Sequence, residues 1–289
     1  MSKFYLSHIL DNETDSQSAI INILRARGFF IELINGKYYL SDNATVSDAQ
    51  YLKKGFETYG LGKVIDKKDY AEKSRWNWLR NYRCGDYKYF SIKPGTIELI
   101  IDQYATIDSA IDFFHESGQI GAEAACARHC WAEFVREELG LKPSISYLES
   151  YVSFYVKAIS ACGVYTCYSC DGNHLIGGKI YVFSEYPSNI LHECIWQYLV
   201  QPVFGNLPYI ENGITFDDST QEQVYRCVNE IAGFLYDNRE ILRDAKNISV
   251  RGISRKYRKH HFESQIEEYF KSEFKKALTL RWSLIKGCN

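Results

Sequence analysis

A compact polar loop between two short strands constrains this chain more than any other feature. Cys167-Tyr168-Ser169-Cys170-Asp171-Gly172-Asn173-His174 gathers thiols, a hydroxyl, a carboxylate and an imidazole into consecutive positions. Its flanks are regular. Ser146, with Glu149 three residues on, has the form of a capping box and opens a helix. Leu148, Val152, Tyr155 and Ile159 then recur at helical spacing, and Gly163 stands where that helix would stop. Val164 to Tyr168 and Lys179 to Phe183 are rich in β-branched and aromatic residues and read as strands. Pro187 suits the first turn of a second helix, with Leu191, Ile195 and Leu199 on its buried stripe. The expected unit is helix, strand, Cys-Asp-Gly-Asn-His loop, strand, helix.

Three chemistries fit those residues. Cys167, Cys170 and His174, joined by His192 or Cys194 from the following helix, supply the soft and borderline ligands of a tetrahedral zinc site. Against this, strand alternation points Cys167 and Cys170 to different faces, and Cys194 has the position of a core residue. Alternatively Ser169, Cys170, Asp171 and His174 form a thiol or acid–base site, since a cysteine beside a histidine can be held as a thiolate and Asp or His can move protons. Third, the segment is a plain hairpin turn, which also favours Asp, Gly and Asn. Cys170 and His174 tip the reading toward a working site, because a turn requires neither.

The pattern Thr166-x2-Ser169-Cys170-x-Gly172, with Lys179 before a strand and His192 later, resembles the Ser-Cys-Ser-Gly-Arg region of the wybutosine-synthesis methyltransferases. That family modifies a guanosine derivative in phenylalanine tRNA with S-adenosylmethionine. The likeness spans about thirty residues. Asp171 stands for the family's second serine and Asn173 for its arginine. The resemblance implies a nucleotide-type pocket lined by Ser169, Cys170, Gly172 and His192, with Lys179 beside it. It does not name the cofactor.

Upstream, Ser16 to Arg27 reads as an amphipathic helix stopped by Gly28, and Asn35-Gly36 signals a hairpin between Phe29–Leu33 and Lys37–Leu40. Helix followed by hairpin also ends winged-helix modules. Ser47 to Tyr59 is expected to be helical. Trp76, Trp78, Tyr82, Tyr87 and Tyr89 interleave with Lys73, Arg75, Arg80, Arg83 and Lys88, the pattern of a single-stranded nucleic-acid surface or of cationic stems snorkelling over an aromatic core. Thr96 to Ile101 reads as a buried strand. A long helix from Ile120 to Leu139 carries Glu123, Cys126, His129, Cys130 and Glu133 within two turns, a metal face only if a second helix contributes. Helices are also expected over Thr220 to Arg243 and Phe262 to Ile285.

Charge is unevenly spread. Residues 251–289 hold ten Lys or Arg against four Glu, so they carry +6 and the preceding 250 residues carry −8. Arg255, Lys256, Arg258, Lys259 and His260 are the core of a basic patch expected to meet nucleic acid or the protein's own acidic surface. Arg255-x4-His260 also resembles the Arg-x4-6-His motif of the helical HEPN ribonucleases, where the pair stabilises phosphate charge and relays a proton. Lys256 replaces the polar residue expected after the arginine. No apolar run approaches the roughly 18 to 20 residues that cross a bilayer, and Met1 to His8 lacks the pattern of a secretory signal. Nine scattered cysteines fit reduced thiols better than a disulfide framework.

The expected fold is α+β: an N-terminal α/β segment over residues 1–92, a central unit over 93–218 carrying the loop, and a basic helical part over 219–289. The expected function is that of a cytoplasmic enzyme acting on a nucleotide or nucleic acid, with no membrane among its partners. The alternatives are a non-catalytic nucleic-acid-binding or complex-forming protein with a structural Cys-His loop, and a metal-independent ribonuclease using Arg255 and His260.

Overall fold

The computed structural model describes residues 16–26, 28–40, 46–66, 71–75, 88–92, 97–102, 152–164, 166–170, 181–184, 188–205, 209–210, 213–214, 221–256 and 263–287. The expected capping box at Ser146, the tryptophan-rich run around Trp76 and the long helix over Ile120 to Leu139 lie outside them.

Helix α1 (Ser16–Ala26) buries Ala19, Ile20, Ile23 and Leu24, the stripe that its helical spacing sets up. It ends where Gly28 takes φ 97°, with Gly28 N–H donating to Arg25 C=O and Phe29 N–H to Leu24 C=O. That pair of bonds is a Schellman stop, which needs a left-handed residue. Strands β1 (Ile31–Ile34) and β2 (Lys37–Leu40) pair antiparallel around Asn35 and Gly36, both at positive φ as a tight primed turn demands. Helix α2 (Val46–Tyr59) and strand β3 (Gly62–Asp66) follow; β4 (Ala71–Arg75) and β5 (Lys88–Ile92) make a separate ribbon. Strand β6 (Ile97–Ile101) lies between β2 and β3, giving an antiparallel sheet in the order β1-β2-β6-β3. Residues 97–101, which the sequence places in the central unit, are thus hydrogen-bonded into the N-terminal sheet, across the division expected at residue 92.

Helix α3 (Ser153–Ala161) is the axis of the core. Every residue from Val152 to Ile159 is buried, including Ser153 and Lys157. A helix buried on all sides must be surrounded by other elements, and here α1 and α6 (Gln221–Asp237) pack on it. The hairpin β7 (Thr166–Cys170) and β8 (Tyr181–Ser184) comes next, then α4 (Ser188–Ile195), which continues through a π-turn, Trp196–Val200, into α5 (Gln201–Phe204). Leu191, Ile195 and Leu199 are buried, as their spacing predicts. A two-residue ribbon, β9 (Tyr209–Ile210) and β10 (Gly213–Ile214), leads to α6, α7 (Arg239–Lys256) and α8 (Glu263–Thr279). One continuous apolar cluster joins the sheet to the helices. The fold is α+β.

Two helix boundaries differ from the sequence reading. The helix expected over Thr220 to Arg243 is two helices broken at Asn238. Asn238 Nδ2 donates to Phe234 C=O at 2.9 Å and to Lys286 C=O at 3.1 Å, while Oδ1 accepts from Lys286 N–H at 2.9 Å. The backbone bonds through it persist, Asn238 N–H donating to Phe234 C=O and Leu242 N–H to Asn238 C=O. The final helix stops at Thr279, and a 3₁₀ turn over Trp282–Leu284 folds the chain back onto that clamp.

Asn238→Ala is expected to destabilise the protein by roughly 1–3 kcal/mol, because it strands the Lys286 backbone groups that the amide satisfies. Urea denaturation checks it: the midpoint should fall with the slope unchanged, and an unchanged midpoint would show that the clamp contributes nothing.

Candidate functional site

The β7–β8 hairpin is fastened at its base by one buried residue. His192 lies in the second turn of α4, where Leu191 and Ile195 fix the apolar face, and it is fully buried. Its Nε2 is 2.9 Å from Tyr155 Oη on α3, and its Nδ1 is 3.0 Å from Ser184 Oγ at the end of β8. Either hydroxyl can donate or accept, so the chain is satisfied in either imidazole tautomer. Burial pushes the His192 pKa down to about 3, so the ring is neutral near pH 7. Such a ring, with both nitrogens engaged, is too weak a base for proton abstraction at neutral pH. The geometry makes His192, expected among the catalytic groups, a joint between α3, β8 and α4.

From that joint the strands run to the loop. Their register pairs Thr166 with Ser184, Tyr168 with Phe183, Ser169 with Val182 and Cys170 with Tyr181. Two residues of β7 are thus spent against one of β8, so Cys167 is the extra residue of a bulge, and the strict alternation assumed for Cys167 and Cys170 is interrupted there. Ser169 is buried beside Val182. The Cys170–Tyr181 pair closes the hairpin where the chain leaves for residues 171–180. Asp171, Gly172, His174 and Lys179 lie outside the described residues.

His192 and Cys194 diverge. Two positions along a helix turn a side chain by roughly 200°, so His192 meets α3 and β8 while Cys194 comes under the charges of Lys271, Glu267 and Glu268 on α8. Cys194 is buried, and that burial, with Glu193 beside it, raises its thiol pKa. It has the character of a protonated core thiol. Lys271 bridges the same helices, with Nζ 3.1 Å from Glu193 and 2.9 Å from Glu267. No cluster of three or more His, Cys, Asp or Glu suited to a metal occurs among the described residues.

Arg255 and Lys256 are the last residues of α7. Arg258, Lys259 and His260 lie outside the described residues.

Sequence reasoning took Tyr155 only as a stripe residue and missed Ser184. The available signal was Ser188 and His192 four residues apart on a helix whose neighbouring positions are apolar. It also missed Lys246, which is buried on α7 with its Cδ 3.3 Å and its Nζ 3.5 Å from where a Gly163 Cβ would lie. Burial, and then Arg243, hold its pKa well below that of an ordinary lysine. Leu242, Ala245, Lys246, Ser249 and Val250 share one helical face, so a lysine within an apolar stripe was the readable sign.

No family model, curated protein or solved structure gives a significant match to the chain.

His192 binds its proton more readily in the unfolded chain, near pH 6.5, than in the fold, near 3. Its contribution is therefore complete above pH 6.5 and declines as pH falls toward 3, at about 1.4 kcal/mol per unit. Denaturation curves from pH 7 to pH 5 should show His192→Gln less stable at pH 7, with the gap to wild type narrowing on acidification. A constant gap would contradict a buried neutral imidazole.

Proposed function

We propose that the protein acts on a nucleotide or nucleic acid through the loop that joins β7 to β8. The observation that carries this reading is the Tyr155–His192–Ser184 chain. It ties the hairpin base to two helices through groups that do no exposed chemistry themselves. The strands on either side of the loop are thereby fixed at their base, and site residues act best when their support is rigid. Cys170 supplies the nucleophile or proton donor, and Asp171 and His174 the proton transfers. Ser169, Gly172 and Lys179 serve the bound group. Ser169, being buried, contributes through the hairpin backbone more than through its hydroxyl. His192 acts here as a positioning residue.

The substrate class rests on the resemblance of Thr166-x2-Ser169-Cys170-x-Gly172 to a tRNA-modifying family and on the basic run after Arg255. A cytoplasmic setting belongs to the same reading; no helix among the described residues is long and apolar enough to cross a membrane. The ribonuclease reading through Arg255 and His260 is weaker, since Lys256 replaces the polar residue expected after the arginine.

Thermal-shift screening of nucleotides and short RNAs, followed by mass spectrometry of the mixtures, identifies the ligand and any product. Cys170→Ser, Asp171→Ala and His174→Ala should each abolish turnover, or binding where there is none, while the melting temperature stays within a few degrees, because site polar residues contribute about 0.5 kcal/mol or less to stability. If Cys167→Ser and Cys170→Ser instead lose bound zinc and unfold together, the loop is a structural metal knot. Stable, metal-free variants that keep full activity would leave it an ordinary turn.

A further inference from the structure

We propose that the tip formed by residues 275–286 docks on an anionic lipid surface, an interaction separate from the loop site. Leu280 is 82% exposed and Leu284 65% exposed, the two largest exposures among the described large apolar residues. Both leave from turns beyond the end of α8, so they project outward. The same segment carries Lys275, Lys276, Arg281 and Lys286, and its only carboxylate from residue 273 to 286 is Glu273, which meets Lys276 at 2.8 Å. Protruding leucines in a segment with an excess of cations match a surface that is negative outside and hydrocarbon beneath. A nucleic-acid surface would favour stacking rings over projecting aliphatic chains.

The exposure is built into the fold. Leu284 N–H donates to Arg281 C=O and Ile285 N–H to Trp282 C=O, closing the 3₁₀ turn. Ile285 is buried in the core, and the Asn238 amide grips both backbone groups of Lys286. The chain is thus pinned on the far side of the leucines, which a frayed end would not be. Peripheral docking of this kind is compatible with the absence of a membrane-crossing helix among the described residues.

Co-sedimentation of the whole protein with phosphatidylcholine vesicles, with and without phosphatidylglycerol, tests it. Binding should require phosphatidylglycerol and fall as salt rises. Leu280→Glu with Leu284→Glu should weaken it by at least about tenfold, given the apolar area removed from the interface, with an unchanged melting temperature. Lys276→Ala with Lys286→Ala should weaken it and flatten the salt dependence. No binding at low salt, or equal binding by the leucine variant, overturns the proposal. So does a leucine variant that loses binding to a single-stranded RNA oligonucleotide while neither protein binds vesicles, since the tip is then a nucleic-acid contact.

Discussion

The sealed His192 imidazole, hydrogen-bonded to Tyr155 on one side and Ser184 on the other, constrains the arrangement around it. Burying a polar ring costs several kcal/mol unless its nitrogens find partners, roughly 2–7 by transfer measurements. The three elements that supply ring and partners must therefore keep their places. Of these, α3 is buried at every residue from Ser153 to Ile159, so it has little freedom to shift. The hairpin inherits that rigidity at its base and delivers the Cys170 end to the loop. Polar chemistry in the core thus fixes the base of the hairpin.

Similar polar or aromatic ties join the other parts. Phe30, at the entry to β1, stacks on Tyr236 with centroids 3.5 Å apart, and the Arg239 guanidinium carbon lies 4.0 Å from the centroid of the Tyr236 ring. Arg239 also donates to Tyr236 C=O at 2.8 Å and approaches Glu32 at 3.8 Å. The sheet is therefore fixed to the junction of α6 and α7, the same junction that Asn238 breaks to hold the Lys286 backbone. Sheet, helix break and C-terminal turn form one connected region.

Local signals were legible in the sequence wherever one or two residues decide the geometry. Asn35-Gly36 specified the hairpin, Gly28 and Gly163 stopped their helices, and Leu191, Ile195 and Leu199 marked the buried face of α4. Long-range choices were not legible. Nothing in Ile97 to Ile101 says which strands it will join, because a short apolar strand fits several sheets. The break at Asn238 has no Gly or Pro to announce it, and the side chain there bonds a segment 48 positions away. At the site, Cys170 was legible as a residue at the loop. His192 was legible as polar on an apolar face, but its role depended on Tyr155 and Ser184, which periodicity treats as an ordinary core position and an ordinary strand end.

The most direct test of this account is the protonation state of His192 itself. Nitrogen-15 NMR of the imidazole, assigned by comparison with His192→Gln, reports tautomer and charge together. The account predicts a neutral imidazole with shifts unchanged from pH 7.5 down to the onset of acid unfolding. A resonance that titrates near pH 6.5 while the protein stays folded would contradict it, because the ring would then be open to solvent and free to take part in chemistry.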